Sequence, residues 1–173
     1  MNYRRPIAIS AITICFLVLF AGFTAPSARA QSLESSTHKQ AISANPFGLL
    51  LNLFNAEYER VISESSTAGL GGSTYFGSSD NYVNADVFWR FYPSGNPLSG
   101  WAFGVKAGLT RVGDEGTFFG AGFDVNRSWV LGKNDDFYVG VGLGLKRMYV
   151  SNDASFDLKY IPTFRLINVG YVF

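Results

Sequence analysis

From Ala41 onward the chain alternates bulky apolar residues with small or polar ones at a period of two. Short clusters of Gly, Ser, Asn, Asp and Pro interrupt the alternation and mark turns. Residues 82–92 set Val83, Ala85, Val87, Trp89 and Phe91 against Asn84, Asp86, Phe88 and Arg90. Residues 101–112 set Trp101, Phe103, Val105, Ala107 and Leu109 against Ala102, Gly104, Lys106, Gly108 and Thr110. Residues 117–131 set Phe119, Ala121, Phe123, Val125 and Trp129 against Gly120, Gly122, Asp124, Asn126 and Ser128. Residues 137–150 set Phe137, Val139, Val141, Leu143 and Leu145 against Gly140, Gly142, Gly144 and Lys146. Further strands are predicted over 67–77 and 160–173.

These strands run about ten to fourteen residues, twice the usual five or six, and about ten tilted residues cross a bilayer. In a water-soluble barrel the bulky face would be the core, and the glycines would sit purposelessly on the surface. In a membrane barrel the faces exchange: bulky residues meet lipid and the small, polar face crowds the interior. The expected fold is therefore all-β, an eight-stranded antiparallel up-and-down transmembrane β-barrel. The even count follows if the run 42–62 turns near Asn52–Asn55 and both chain ends lie on one side. The segment "NPFGLLLNLFN" has room for a kink or a short helical turn, and Pro46 there fits an edge, a bulge or an irregular entry better than a central ladder.

Counting back from Phe173 orients every strand. "SESS", "PSGNPLSG" and "GKNDD" become periplasmic turns; the turn near Asn52, "GSSDN", "VGDEG" and "SNDASF" become outer loops. An aromatic girdle at the periplasmic, lipid-facing ends then comprises Trp89, Phe91, Trp101, Trp129, Phe137, Tyr171 and Phe173, because amphipathic rings favour the headgroup level. The same count puts Arg111, Arg147 and Arg165 on the outward face near the outer rim, as candidate contacts for lipopolysaccharide phosphates. The predicted inward charges are Glu57, Glu59, Asp86, Arg90, Lys106, Asp124 and Lys146, with Phe88, Tyr92, Tyr138, Phe164 and Leu166 filling the space left by glycines. Opposite charges there must pair, since an unpaired buried charge is costly, and an eight-stranded barrel is only wide enough to be filled by side chains.

The beginning of the sequence sets the address. Arg4 and Arg5 precede an apolar run to about Phe23, and Ala28-Arg29-Ala30 follows. This reads as a cleaved signal peptide over 1–30; a membrane anchor is the rival, disfavoured by the A-x-A site and the polar stretch after it. Residues 31–41 read as a flexible polar leader and 42–173 as the barrel. Cleavage removes three of the 14 Lys/Arg, none of the 13 Asp/Glu and the sole cysteine, Cys15. The remainder is slightly acidic, which points away from nucleic acid, and no disulfide can hold it together.

The segments "ISANPFGLLLNLFNAEYERVISESSTAGLGGSTYF" and "FWRFYPSGNPLSGWAFG" resemble a family of small bacterial outer-membrane barrels of unknown function, the DUF3575 type. Asn45 with the leucines after it, Glu57 and Glu59, Ser65-Ser66, Arg90-Phe91-Tyr92 and Gly100 carry the resemblance. It implies a Gram-negative envelope barrel and no established activity. The terminal "RLINVGYVF" resembles the signal read by the outer-membrane barrel assembly machinery.

Chemistry beyond this is sparse. Hydroxyl activation in lipid A deacylases and acyltransferases needs a base, and those families use a histidine. Here the single histidine, His38, lies in the leader. No metal-ligand spacing occurs, and the glycines of "GAGFD" and "GVGLG" continue a strand rather than opening a helix. The expectation is a non-enzymatic, monomeric barrel without cofactor, in a structural or interaction role in the bacterial envelope, with lipid, lipopolysaccharide and the assembly machinery as partners. The alternative is a soluble periplasmic β-barrel that binds a small apolar ligand. A narrow channel is a third reading.

Overall fold

In the computed structural model the structure describes residues 38–76, 81–114, 116–149 and 160–173. The expected signal peptide, most of the leader, most of the outer loops "GSSDN" and "SNDASF" and one residue of "VGDEG" lie outside these residues. Eight strands follow in order: β1 (Gln40–Ala44), β2 (Leu53–Ser63), β3 (Ser66–Phe76), β4 (Asn81–Phe91), β5 (Gly100–Val112), β6 (Gly116–Leu131), β7 (Phe137–Tyr149) and β8 (Tyr160–Val172). Each pairs antiparallel with the next, and β8 pairs with β1 to close the barrel. Closure gives every strand a neighbour on both sides, although β8 meets β1 only over Val169 to Val172.

The run 42–62 holds two strands. Between them lies a 3-10 turn, Phe47–Leu51, and Asn52 ends it in the left-handed region at φ 56°. Asn45 organises this turn: its backbone N–H donates to the Asn55 carbonyl, and its Oδ1 accepts from Gly48 N at 2.9 Å. β1 begins at Gln40, two residues earlier than the pattern suggests, because Lys39 N and Gln40 N both donate to the terminal Phe173 carbonyl. The last residue is thereby held from the first strand.

Alternation sorts side chains as the membrane form requires. Val105 and Phe123 are more than half exposed, whereas Lys146 is fully buried. The bulky face points out and the polar face points in, so the interior is not the apolar core that the soluble alternative expects. The interior glycines make room for charged partners. A Cβ on Gly120 would stand 2.7 Å from Lys146 Cε, and one on Gly140 would stand 2.6 Å from Arg165 Nη1.

Two register shifts break the ladder, one at Val61/Ser63 and one at Gly140/Gly142. At the second, Gly140 faces Asn168 while Gly142 faces Arg165, so Leu166 and Ile167 together oppose Val141. This β-bulge reverses the phase of the outer half of β8. Two expectations fall with it. Arg165 is buried inside the barrel rather than on its outer surface, and Phe164 is half exposed rather than inward.

Where β1 starts and β8 stops, the barrel is stoppered by Ala41, Leu98, Tyr138 and Val172, with Val61 and Val130 packed against them. Leu98 reaches in from the β4–β5 turn at φ 66°, a left-handed conformation unusual for a branched side chain. We call this the closure end and the opposite one the far end.

Candidate functional site

The charged interior forms two clusters. The first centres on Arg90 of β4. Its Nη1 lies 2.7 Å from Glu59 Oε2 and 3.1 Å from Glu57 Oε2, both on β2. Its Nε is 3.8 Å from Asp124 of β6, and its guanidinium stacks 4.0 Å from the centre of the Phe88 ring. Glu59 accepts two further bonds, from Thr67 Oγ1 at 2.5 Å and from the Tyr92 hydroxyl at 2.7 Å. Arg165 of β8 approaches Glu57 Oε2 at 3.0 Å and donates to the Tyr138 hydroxyl at 2.9 Å. Lys106 of β5 reaches Asp124 at 3.5 Å and donates to Thr163 Oγ1 at 2.6 Å.

The second cluster lies toward the far end and centres on Lys146 of β7. Its Nζ meets Asp86 Oδ1 at 2.5 Å, Asn84 Oδ1 at 2.7 Å and Thr110 Oγ1 at 3.0 Å. An ammonium has three protons, and here each has an acceptor. Thr110 also donates to Asn84, and Asn84 donates to Asp86. Asp124 similarly accepts from Asn126 at 2.5 Å.

The interior charges among the described residues therefore balance: Glu57, Glu59, Asp86 and Asp124 against Arg90, Lys106, Lys146 and Arg165. All seven inward charges named from the sequence fall in these two clusters, and Arg165 joins the first through the bulge. The hydrogen-bonding partners Thr67, Asn84, Thr110, Asn126 and Thr163 were not singled out. Asn84, Thr110 and Asn126 share a strand face with a named charge, so there the alternation itself contained the signal; Thr67 lies on β3, which carries no charge.

Above the first cluster lies a cavity of about 290 Å³. Glu57, Arg90, Lys106, Asp124 and Arg165 border it, and Leu53, Tyr75, Tyr82 and Ile161 border it toward the far end. Toward the closure end the interior is filled: Tyr92, Leu98 and Tyr138 are all almost wholly buried. The cavity is blind on that side.

On the outside, the seven girdle residues ring the closure end. Trp89 and Phe91 stack at 6.4 Å, and Tyr171 and Phe173 at 6.3 Å. Arg127, unremarked in the sequence, lies 5.5 Å from both the Trp101 and the Trp129 rings. A second aromatic group stands at the far end. Phe119 stacks on Tyr149, Arg147 lies over Tyr149 and Tyr160, and Phe76 of β3 is exposed at the same end. Arg111 is also exposed there. Sequence reasoning missed this ring because its members sit where alternation runs out into loops.

His38 lies at the closure end, where its ring donates to the Asn134 carbonyl at 3.1 Å. Among the described residues no group of His, Cys, Asp and Glu is placed to hold a metal ion.

No protein-family model matches the chain, and neither does any curated protein. Among solved structures it is similar to the N-terminal β-barrel domain of Pseudomonas aeruginosa OprF, with 15% identity and a TM-score of 0.42 over 78% of this chain and 94% of that one.

Proposed function

We propose that this protein is a bacterial outer-membrane β-barrel with a non-enzymatic role in the envelope. The observation that supports it is the continuous exposed apolar band lying between two aromatic rings on a closed barrel with a charge-paired interior. Along β5 the band runs from Trp101 to Arg111. Ten residue steps at ~3.4 Å, tilted about 40°, rise roughly 25 Å, the height of the lipid-facing band in such barrels. In water this surface would be an aggregation hazard far larger than the few hundred Å² that monomers usually expose.

The closure end is then periplasmic and the far end faces outward. The terminal strand, whose outward aromatics include Tyr171 and Phe173, is the segment offered to the assembly machinery. Arg111 and Arg147, at the outer interface, suit lipopolysaccharide phosphates, for which guanidinium groups give paired charge-assisted bonds. Their replacement by glutamine should weaken lipopolysaccharide binding.

Fractionation of cells expressing the full chain, followed by a gel comparing heated and unheated membrane fractions, tests the proposal. An outer-membrane protein whose unheated form migrates faster supports it. A soluble periplasmic protein with no band shift overturns it.

A further inference from the structure

β8 is paired along its length with β7, but β1 accompanies its other edge only from Val169 to Val172. β1 stops at Ala44, and the chain turns through Phe47–Leu51 before returning as β2. Among the described residues, no strand pairs with the β1 side of β8 over 160–168. The wall there has a seam rather than a ladder. Pro162, which has no N–H to give a ladder, lies in this stretch, as prolines in sheets do at edges.

The cavity reaches both sides of the seam: Leu53 and Asn55 on β2 and 161–165 on β8 border it. Just behind the seam stand two cations, Arg165 and Lys106, the latter bonded to Thr163 of β8. The Nε atoms of Arg90 and Arg165 are buried donors with no acceptor. An unmet buried donor is costly, about as much as a lost hydrogen bond, and these two belong to guanidinium groups that border the cavity. Outside the seam the surface is apolar. Phe164 on β8 and Leu49, Leu50 and Leu51 on the turn are exposed.

We propose that the seam is a lateral portal through which a long-chain fatty acid enters from the lipid layer, its carboxylate meeting Arg165 and Lys106 and its alkyl chain trailing out past Phe164. The inference rests on the membrane reading above. The occupant follows from the dimensions and the chemistry. A cavity of about 290 Å³ is at the small end of ligand pockets, about 300–1,000 Å³, so it suits a carboxylate and part of one chain better than a two-chain lipid. The unmet Nε–H of Arg165 calls for a further oxygen acceptor, and a carboxylate supplies one.

Photo-crosslinking of the full chain, refolded into lipid nanodiscs, with a diazirine-bearing palmitate tests the portal. Labelling concentrated on Leu53, Asn55 and residues 160–168 is expected. Binding of dansylundecanoic acid should be saturable, displaced by palmitate, and weakened about tenfold or more in Lys106→Met, the loss of one charge-assisted contact. Labelling spread evenly over the lipid face overturns the proposal, as does unchanged affinity in a folded Lys106→Met. So do chemical cross-links joining the β8 edges of two copies, because the seam would then be an interface between chains. Should Lys106→Met fail to fold, the wild-type labelling pattern decides. A heat-modifiable barrel that takes up no fatty acid sinks the portal alone, whereas a chain that never becomes heat-modifiable sinks the membrane reading with it.

Discussion

Arg165 Nη2 lies 3.0 Å from Glu57 Oε2, an ion pair that joins the last strand to the second across the inside of the barrel. β1, which separates these strands in the sheet, pairs with β8 over only four residues, Ala41 to Ala44. The pair therefore reinforces the barrel where its wall is thinnest. Glu57 keeps Arg90 when Arg165 is lost. Arg165→Met should therefore cost about 1–3 kcal/mol, below the roughly 3–5 kcal/mol of a fully orphaned buried charge, measured by urea unfolding in detergent micelles. Glu57→Gln should cost less, because a neutral amide can still accept from Arg90 and Arg165. Equal stability of Arg165→Met and wild type would mean that the pair does not support closure.

The second cluster makes an independent prediction. Lys146 is fully buried and spends its three protons on Asp86, Asn84 and Thr110. Lys146→Met should strand the Asp86 carboxylate and cost about 3–5 kcal/mol. Adding Asp86→Asn to Lys146→Met should return much of that loss, since replacing both members of a buried pair is often nearly neutral. The double-mutant cycle, run on the same urea curves, separates the pair from the rest. A double variant as unstable as the single one would show that the packing of the lysine stem, not its charge, carries the effect.

How far the sequence could be read follows from where alternation is a reliable guide. Strands β4 to β7 are long and strictly alternating, so their inward charges and outward aromatics were legible one by one. β8 was not, because Leu166 and Ile167 are both apolar and a bulge there leaves the pattern looking continuous. A bulge depends on register with the neighbouring strand, and Gly140 and Gly142 opposite it offer no side chain that would announce one. β1 was obscured by its five-residue length and by the apolar 3-10 turn that follows it. The seam is a consequence of that short strand and became visible only with the pairing.

Glycine on the inward face has a steric purpose that a one-atom change should expose. A Cβ on Gly122 would come within 2.7 Å of Lys146 Cα and nearer still to the Leu145 carbonyl. Those are backbone atoms of the neighbouring strand, and they cannot move aside without opening the ladder. Gly122→Ala should cost about 1–3 kcal/mol, the usual range for overpacking. The adjacent Ala121 points outward, so Ala121→Val should be close to neutral. Comparable losses at both positions would argue against a crowded interior.

The lipid-facing band can be probed by depth. Val105 and Phe123 face each other across β5 and β6 near the middle of the band, and both are exposed. Leu131 is also exposed but lies at the closure end, beside the aromatic ring. If lipid covers this surface, arginine at Val105 must bring its charge through hydrocarbon, at roughly 2–4 kcal/mol; at Leu131 the head reaches the interface, at about 0–1 kcal/mol. Val105→Arg and Leu131→Arg, refolded into phospholipid vesicles and titrated with guanidinium chloride, should therefore differ by a few kcal/mol in that order. In water the two sites are equivalent, since a surface arginine costs little anywhere. The gap should accordingly shrink when folding is measured in short-chain detergent, whose thin micelle lets a long side chain reach solvent. Equal stability of the two variants in vesicles would mean that this face does not lie against a bilayer.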